Sequence, residues 1–144
     1  MTGNELVIER IINAPIERVW RALTSQEDLK QWLPFFSGFK PEVGTKLKFK
    51  LGKDPDHQYV HLCEVKEVEE NSRLVYSWRY EGYPGYSNVI FELSPAGNSA
   101  TTKLKLTHEI TAPFPADNPD FSGEGFKEGW TYTADGLKEF VESN

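Results

Sequence analysis

In the middle of the chain, hydrophobic residues alternate with polar ones, a period of two that is typical of β-strands with one buried face. The alternating segments are residues 46–51, 59–68, 74–80, 88–93 and 102–109. Turn residues separate these segments, and the Pro-Ala-Gly-Asn run at 95–98 is the clearest turn. Because the connections are of hairpin length, the pattern predicts an antiparallel meander of about five strands.

The first third of the chain predicts one further strand and two short helices. Residues 5–13 are rich in Val and Ile and predict the strand, and Asn13 is a candidate cap for the helix that follows. Hydrophobic residues then recur at helical spacing between residues 16 and 23. Ser25 begins an S-x-x-D pattern that predicts a second helix by the capping-box rule, and Pro34 ends it.

The end of the chain predicts a loop followed by a long helix. Residues 111–125 contain three prolines and predict irregular structure, and a loop of this length in a compact domain is usually functional or mobile. Beyond the loop, one apolar stripe is formed by Phe126, Trp130, Ala134 (or Thr133), Leu137 and Val141. The order of strands and helices along the chain predicts an α+β fold. In this fold a curved antiparallel sheet of about six strands wraps around the C-terminal helix, with a cavity between them.

Composition narrows the class of protein. A length of 144 residues fits one domain, residues 1–144, and its 13% aromatic content is bulky filling for one core. A single cysteine excludes an intramolecular disulfide. The net charge of −6 argues against nucleic acid and anionic membranes as partners. With neither a secretory signal nor a membrane-spanning run in the sequence, we expect a cytoplasmic protein.

Several segments resemble one known superfamily when they are taken in order. The opening IINAPIERVWRALTSQEDLKQW is similar to the start of the START-like helix-grip (SRPBCC) superfamily. SRLVYSW, TTKLKLTHE and the late GW followed by LKEFVE resemble its branch of homologues of the activator of heat-shock-protein-90 ATPase. The resemblance spans nearly the whole chain. It implies a helix-grip fold whose interior holds a small apolar molecule.

The aromatic residues of the strands and the last helix are the strongest candidates for a ligand site. Tyr and Trp carry polar atoms that need partners when buried, and small-molecule pockets combine aromatic walls with a few such groups. The predicted ligand-binding residues are Tyr76, Trp78, Phe91, Leu106, His108 and Trp130. Residues 111–125 are the predicted lid. Tyr83, Tyr86, Phe114 and Phe121 lie in the two loops that could cover the mouth of the site.

Other reactive residue types give no convincing constellation. His57 and His61 would suit a metal if they lay on a helix, but on a strand they are separated by roughly 13 Å, so no metal site and no cofactor are predicted. Cys63 is expected to be a small buried hydrophobe. His108 with Glu9 or a tyrosine is the one acid–base pair that the sequence offers.

Three functions follow, of which the first is preferred. It is a non-enzymatic module that binds a small hydrophobic or aromatic molecule between the sheet and the C-terminal helix. The second is a regulator or co-chaperone of a heat-shock-protein-90-type ATPase that acts through its surface, for which the row Lys46, Lys48, Lys50 and Lys53 is a candidate contact with an acidic partner. The third is a cyclase-like or hydrolase-like enzyme.

Overall fold

The computed structural model describes residues 5–52 and 54–143, and in this part of the chain one six-stranded antiparallel sheet wraps around a long helix. The strands are β1 (Glu5–Ile12), β2 (Lys46–Gly52), β3 (Gln58–Glu69), β4 (Arg73–Tyr80), β5 (Tyr86–Pro95) and β6 (Thr102–Ala112). The helices are α1 (Ile16–Thr24), α2 (Gln26–Trp32) and α3 (Gly123–Ser143), with 3₁₀ turns at Pro34–Phe36 and Pro119–Phe121. The helix-grip fold is confirmed.

The strand order is β1-β6-β5-β4-β3-β2, so every neighbouring pair except β1–β6 is consecutive in the chain. The predicted alternation sorts the side chains correctly into two faces. Leu104, Leu106 and His108 of β6 are almost completely buried on the inner face, whereas Lys105 is exposed on the outer face. The meander therefore follows directly from a hydrophobic period of two.

The apolar stripe of α3 is confirmed, since all five of its predicted members are buried. The helix begins at Gly123, three residues earlier than the stripe, because polar residues of the first turn carry no periodic signal. Its backbone approaches β1 and α1 most closely. The space between α3 and the central strands β4 and β5 is therefore spanned by side chains. None of the described helices is long and apolar enough to cross a membrane.

The two predicted helix caps are not formed. Pro15, in extended conformation, is the residue that precedes α1, and the side chain of Ser25 makes no capping bond to α2. The backbone N–H of Ser25 instead donates to the carbonyl of Arg21 and closes α1. An ion pair of 2.8 Å between Arg18 and Asp28, both largely buried, holds the two helices together.

Candidate functional site

A continuous cluster of aromatic rings fills the space between the inner face of the sheet and α3, which we call the interior site. At its centre the rings of Trp78 on β4 and Trp130 on α3 meet edge-on, with centroids 4.8 Å apart. Tyr76 lies two residues before Trp78 on β4, and its ring centroid is 5.9 Å from that of Phe91. Leu106, fully buried, is the cross-strand neighbour of Phe91. Edge-to-face contacts of this kind each add about 0.5–1.5 kcal/mol beyond the burial of apolar area.

His108 is the polar member of the interior site, and it is held in one neutral tautomer. Its Nε2 lies 2.8 Å from the Ser87 hydroxyl, which itself donates to the carbonyl of Trp78. Since that hydroxyl has only one proton, it must accept from Nε2–H. The imidazole also contacts the rings of Phe126 and Trp130, at centroid distances of 4.7 and 5.4 Å. Burial in these surroundings lowers the pKa of His108 from 6.5 to about 4.

His61 is a second buried histidine, which the sequence did not assign to the site. It stacks on Phe49 at 4.9 Å and meets the edges of Trp78 and Tyr80. Its Nδ1–H donates to the carbonyl of Tyr59 over 2.9 Å. Burial lowers the pKa of His61 to about 4, so it is also neutral near pH 7. The period of two could have placed it beside Phe49, because both residues fall on the inner face.

Two polar groups of the interior site stand without a hydrogen-bond partner among the described residues. The Tyr76 hydroxyl and the Trp130 indole N–H take part in none of the hydrogen bonds there, although the two side chains are only 3% and 6% exposed. In the described part of the chain, every side-chain nitrogen or oxygen that is fully shielded from solvent has a partner. The two groups must therefore border space that a water molecule can reach. Burial raises the pKa of Tyr76 well above 10, so the hydroxyl is a neutral donor.

Residues 113–122, which we call the cover segment, close one end of the interior site. Phe121 stacks on Tyr80 with ring centroids 4.5 Å apart, and Phe114 contacts Phe126 of α3 at 5.4 Å. The hydroxyl of Tyr59 on β3 donates to Asp120 over 2.5 Å and accepts from the Asn118 amide at 3.1 Å. This pair of bonds fastens the segment to the rim of the sheet.

The structure thus brings the six predicted ligand-binding residues together, all of them less than 9% exposed. Other candidates lie elsewhere. Glu9 faces outward and pairs with Lys103, so it forms no acid–base pair with His108. Tyr86 begins β5 and does not lie in the loop over the site.

The remaining reactive residues show no chemistry of their own. Cys63 is buried, and burial raises the pKa of its thiol. Within residues 5–52 and 54–143, no group of His, Cys, Asp and Glu side chains could hold a metal. Lys46, Lys48 and Lys50 are exposed on β2, and Lys53 lies outside the described residues.

Comparisons with known proteins agree with this geometry. The family model described as Activator of Hsp90 ATPase homolog 1-like protein matches residues 13–142. A solved Mesorhizobium loti protein is 27% identical over 97% of this chain and 98% of its own, with a TM-score of 0.72. A solved Chromobacterium violaceum protein is 25% identical over 96% of this chain and 97% of its own, with a TM-score of 0.75.

A START superfamily protein from Mycobacterium smegmatis is 16% identical over 98% of this chain and 99% of its own, with a TM-score of 0.72. At that identity the likeness is one of fold. No curated protein shows significant similarity to the chain. The family match is therefore the most specific of these findings.

Proposed function

The chain belongs to the Activator of Hsp90 ATPase homolog 1-like protein family and has the fold of START superfamily proteins, and from this premise we propose that it binds a small apolar or aromatic molecule in the interior site. The fold is that of a ligand-binding or regulatory domain in general. The proposed walls are Tyr76, Trp78, Phe91, Leu106 and Trp130, and His108 is the proposed polar contact. The protein itself supplies no chemical step.

The observation that carries the proposal is the pair of unpartnered donors on Tyr76 and Trp130. Both donors border water-accessible space, and a molecule that displaces this water without offering an acceptor would leave them unsatisfied at a cost of about 1–3 kcal/mol each. A largely apolar ligand with one acceptor would satisfy either donor while its apolar part lies against Trp78. Apolar walls with a few directed polar groups are the usual composition of a small-molecule site.

The cover segment supplies a route of entry that leaves the sheet intact. Its contacts with the domain are mostly between side chains, and the polar contacts at its tip include the bonds of Tyr59 to Asp120 and Asn118. Release of Phe114 and Phe121 would open the end of the interior site beside Tyr80. Because rings now fill much of the interior, we expect the ligand to displace side chains as it enters.

The test is a screen of straight-chain fatty acids and bicyclic aromatic compounds by ¹H–¹⁵N chemical-shift perturbation. Saturable shifts at the indole N–H of Trp130 and at the amides of β4 and β5 support the proposal. Trp130→Phe should weaken binding about two- to twelvefold, in line with an aromatic contact of about 0.5–1.5 kcal/mol. Trp32→Phe is the matched control, since Trp32 lies on α2 and already donates to the Ala22 carbonyl. Shifts scattered over the exterior, or equal losses in both variants, would refute the proposal.

Tyr76→Phe refines the same experiment. It removes the hydroxyl and keeps the ring that contacts Phe36 and Phe91. We expect ligands with an acceptor to lose affinity and pure hydrocarbons to keep it. Loss of both classes would mean that the substitution disturbs packing rather than a ligand contact.

A second candidate function is suggested by the description of the family. The protein would then regulate a heat-shock-protein-90-type ATPase through its exterior surface. The steady-state ATPase rate of the purified chaperone, measured with increasing amounts of this protein, tests it. An unchanged rate at saturation, together with no co-purification, would count against regulation and leave the ligand proposal untouched.

A further inference from the structure

A second concave feature lies on the opposite, outer face of the sheet, away from the interior site. It is a half-open cavity of about 400 Å³, which we call the outer cavity. It is lined by Lys46, Leu47, Lys48, Leu62, Cys63, Glu64, Ser77, Arg79 and Tyr86. These residues come from four adjacent strands, β2 to β5. The volume falls in the range of sites that take small molecules.

The strand register explains why a cavity forms there. Lys48, Leu62 and Arg79 are cross-strand neighbours in one row over β2, β3 and β4. In the next row the ladder between β3 and β4 is interrupted, and the N–H of Glu64 donates to the Ser77 hydroxyl at 3.0 Å instead of to a carbonyl. The side chain of Ser77 thus takes the place of a ladder hydrogen bond. The outer cavity lies over this opening.

The charge of the outer cavity is opposite to that of the whole protein. Three cationic side chains and one carboxylate line it, whereas the chain carries a net charge of −6. Lys48 is paired with Glu81 at 3.2 Å, and Glu64 with Lys66 at 3.6 Å.

Two cations at the outer cavity stay available for a ligand. The side chains of Lys46 and Arg79 form no ion pair or hydrogen bond within residues 5–52 and 54–143, and both are exposed. They stand on β2 and β4, two strand spacings of about 4.8 Å apart and offset by two residues along the strands, so about 12 Å separates their Cα atoms and their long side chains can reach one group between them.

A neighbouring cavity on the same face provides a contrast. It measures about 320 Å³ and includes Arg73, Lys103 and Lys105. There Arg73 is bound by Glu67 and Glu92, and Lys103 by Glu9. Two of its three cations are therefore already matched by carboxylates of the protein, which distinguishes it from the outer cavity.

We propose that the outer cavity binds the anionic group, a carboxylate or a phosphate, of a small molecule. The planar guanidinium of Arg79 suits a bidentate contact with either group. Lys46 adds a second positive charge, and the phenol of Tyr86 offers a hydroxyl. Leu62 forms an apolar floor for the rest of the ligand. The site is independent of the interior site, because the sheet separates the two.

Titration with inorganic pyrophosphate and, separately, with citrate tests the proposal by ¹H–¹⁵N spectroscopy at low ionic strength. We expect saturable shifts at Leu62, Glu64, Ser77 and Arg79. Response to one probe or to both identifies the preferred anion. Added NaCl should weaken binding, since exposed charges are screened over about 10 Å at 0.1 M salt.

Charge-removing variants of similar length decide whether the cavity is responsible. Arg79→Met and Lys46→Met should each weaken binding about fivefold or more, as charge-assisted hydrogen bonds are lost. Lys105→Met removes the same charge from the same face outside the outer cavity and should change affinity less than about twofold. Non-saturating shifts, or an equal loss in Lys105→Met, would overturn the proposal. Each variant's own spectrum shows whether it is folded.

Discussion

Lowering the pH should destabilise this protein through its two buried histidines. The pKa of His61 and that of His108 lie at about 4 in the folded protein, against 6.5 for an ordinary histidine. The unfolded chain therefore binds protons first as the pH falls. The stabilisation contributed by the two neutral histidines is fully present above about pH 6.5. It declines between pH 6.5 and pH 4 and is lost below pH 4.

The size of the effect follows from the shifts. One pKa unit corresponds to about 1.36 kcal/mol, so a fall from pH 7 to pH 5 should cost about 2 kcal/mol for each histidine. The two together should cost about 4 kcal/mol, a large share of the 5–15 kcal/mol that stabilises a typical domain. Both side chains sit among aromatic rings, where a charge finds little solvation.

The assay is urea unfolding at pH 7 and pH 5, followed by tryptophan fluorescence. His108→Gln keeps a donor for the Ser87 hydroxyl, and His61→Asn keeps one for the Tyr59 carbonyl. Each variant should lose about 2 kcal/mol less than the wild type on acidification, whatever its stability at pH 7. The pKa of Glu142 is lowered mainly by the Asn13 backbone N–H. Carboxylates of this kind contribute equally to the pH dependence of the wild type and both variants, so their contribution cancels in the comparison. Equal pH dependence of wild type and variants would refute the reasoning.

Two further predictions concern the cover segment. Tyr59→Phe removes the hydrogen bonds to residues 118 and 120. It should speed amide hydrogen exchange in residues 113–122 with little change in global stability. Unchanged exchange in this segment would contradict the role of Tyr59 in fastening it. Gly85→Ala should destabilise more than Gly97→Ala in thermal unfolding. Both glycines have positive φ, but only at Gly85 would a new methyl group meet the Phe114 ring, at 2.2 Å. Equal losses of stability in the two variants would mean that this ring does not pack against Gly85.

The strands and the long helix were predictable because their signal is periodic and local. Alternation placed His108 on the inner face beside Leu104 and Leu106, and helical spacing gave the stripe that includes Trp130. Knowing which residues share the inner face was enough to identify the residues of the interior site, since a curved sheet directs one face toward one helix. The physical cause is that burial of apolar area acts on every repeat of the pattern.

The rest of the site depends on contacts between residues far apart in sequence. Phe36 contacts Tyr76 from a 3₁₀ turn that has no periodic pattern. The bond between Tyr59 and Asp120 joins residues 61 positions apart. The interrupted ladder that Ser77 bridges also leaves no mark in the alternation. Such features arise from the assembled fold, so they were out of reach of local patterns.

The central claim is that a small apolar or aromatic molecule occupies the space between β4, β5 and α3. Intermolecular NOEs between an unlabelled ligand from the screen and ¹³C-labelled protein test it most directly. We expect NOEs from the ligand to the rings of Trp78, Phe91 and Trp130. NOEs confined to outer-face residues such as Leu62, or a screen without any saturable ligand, would contradict it.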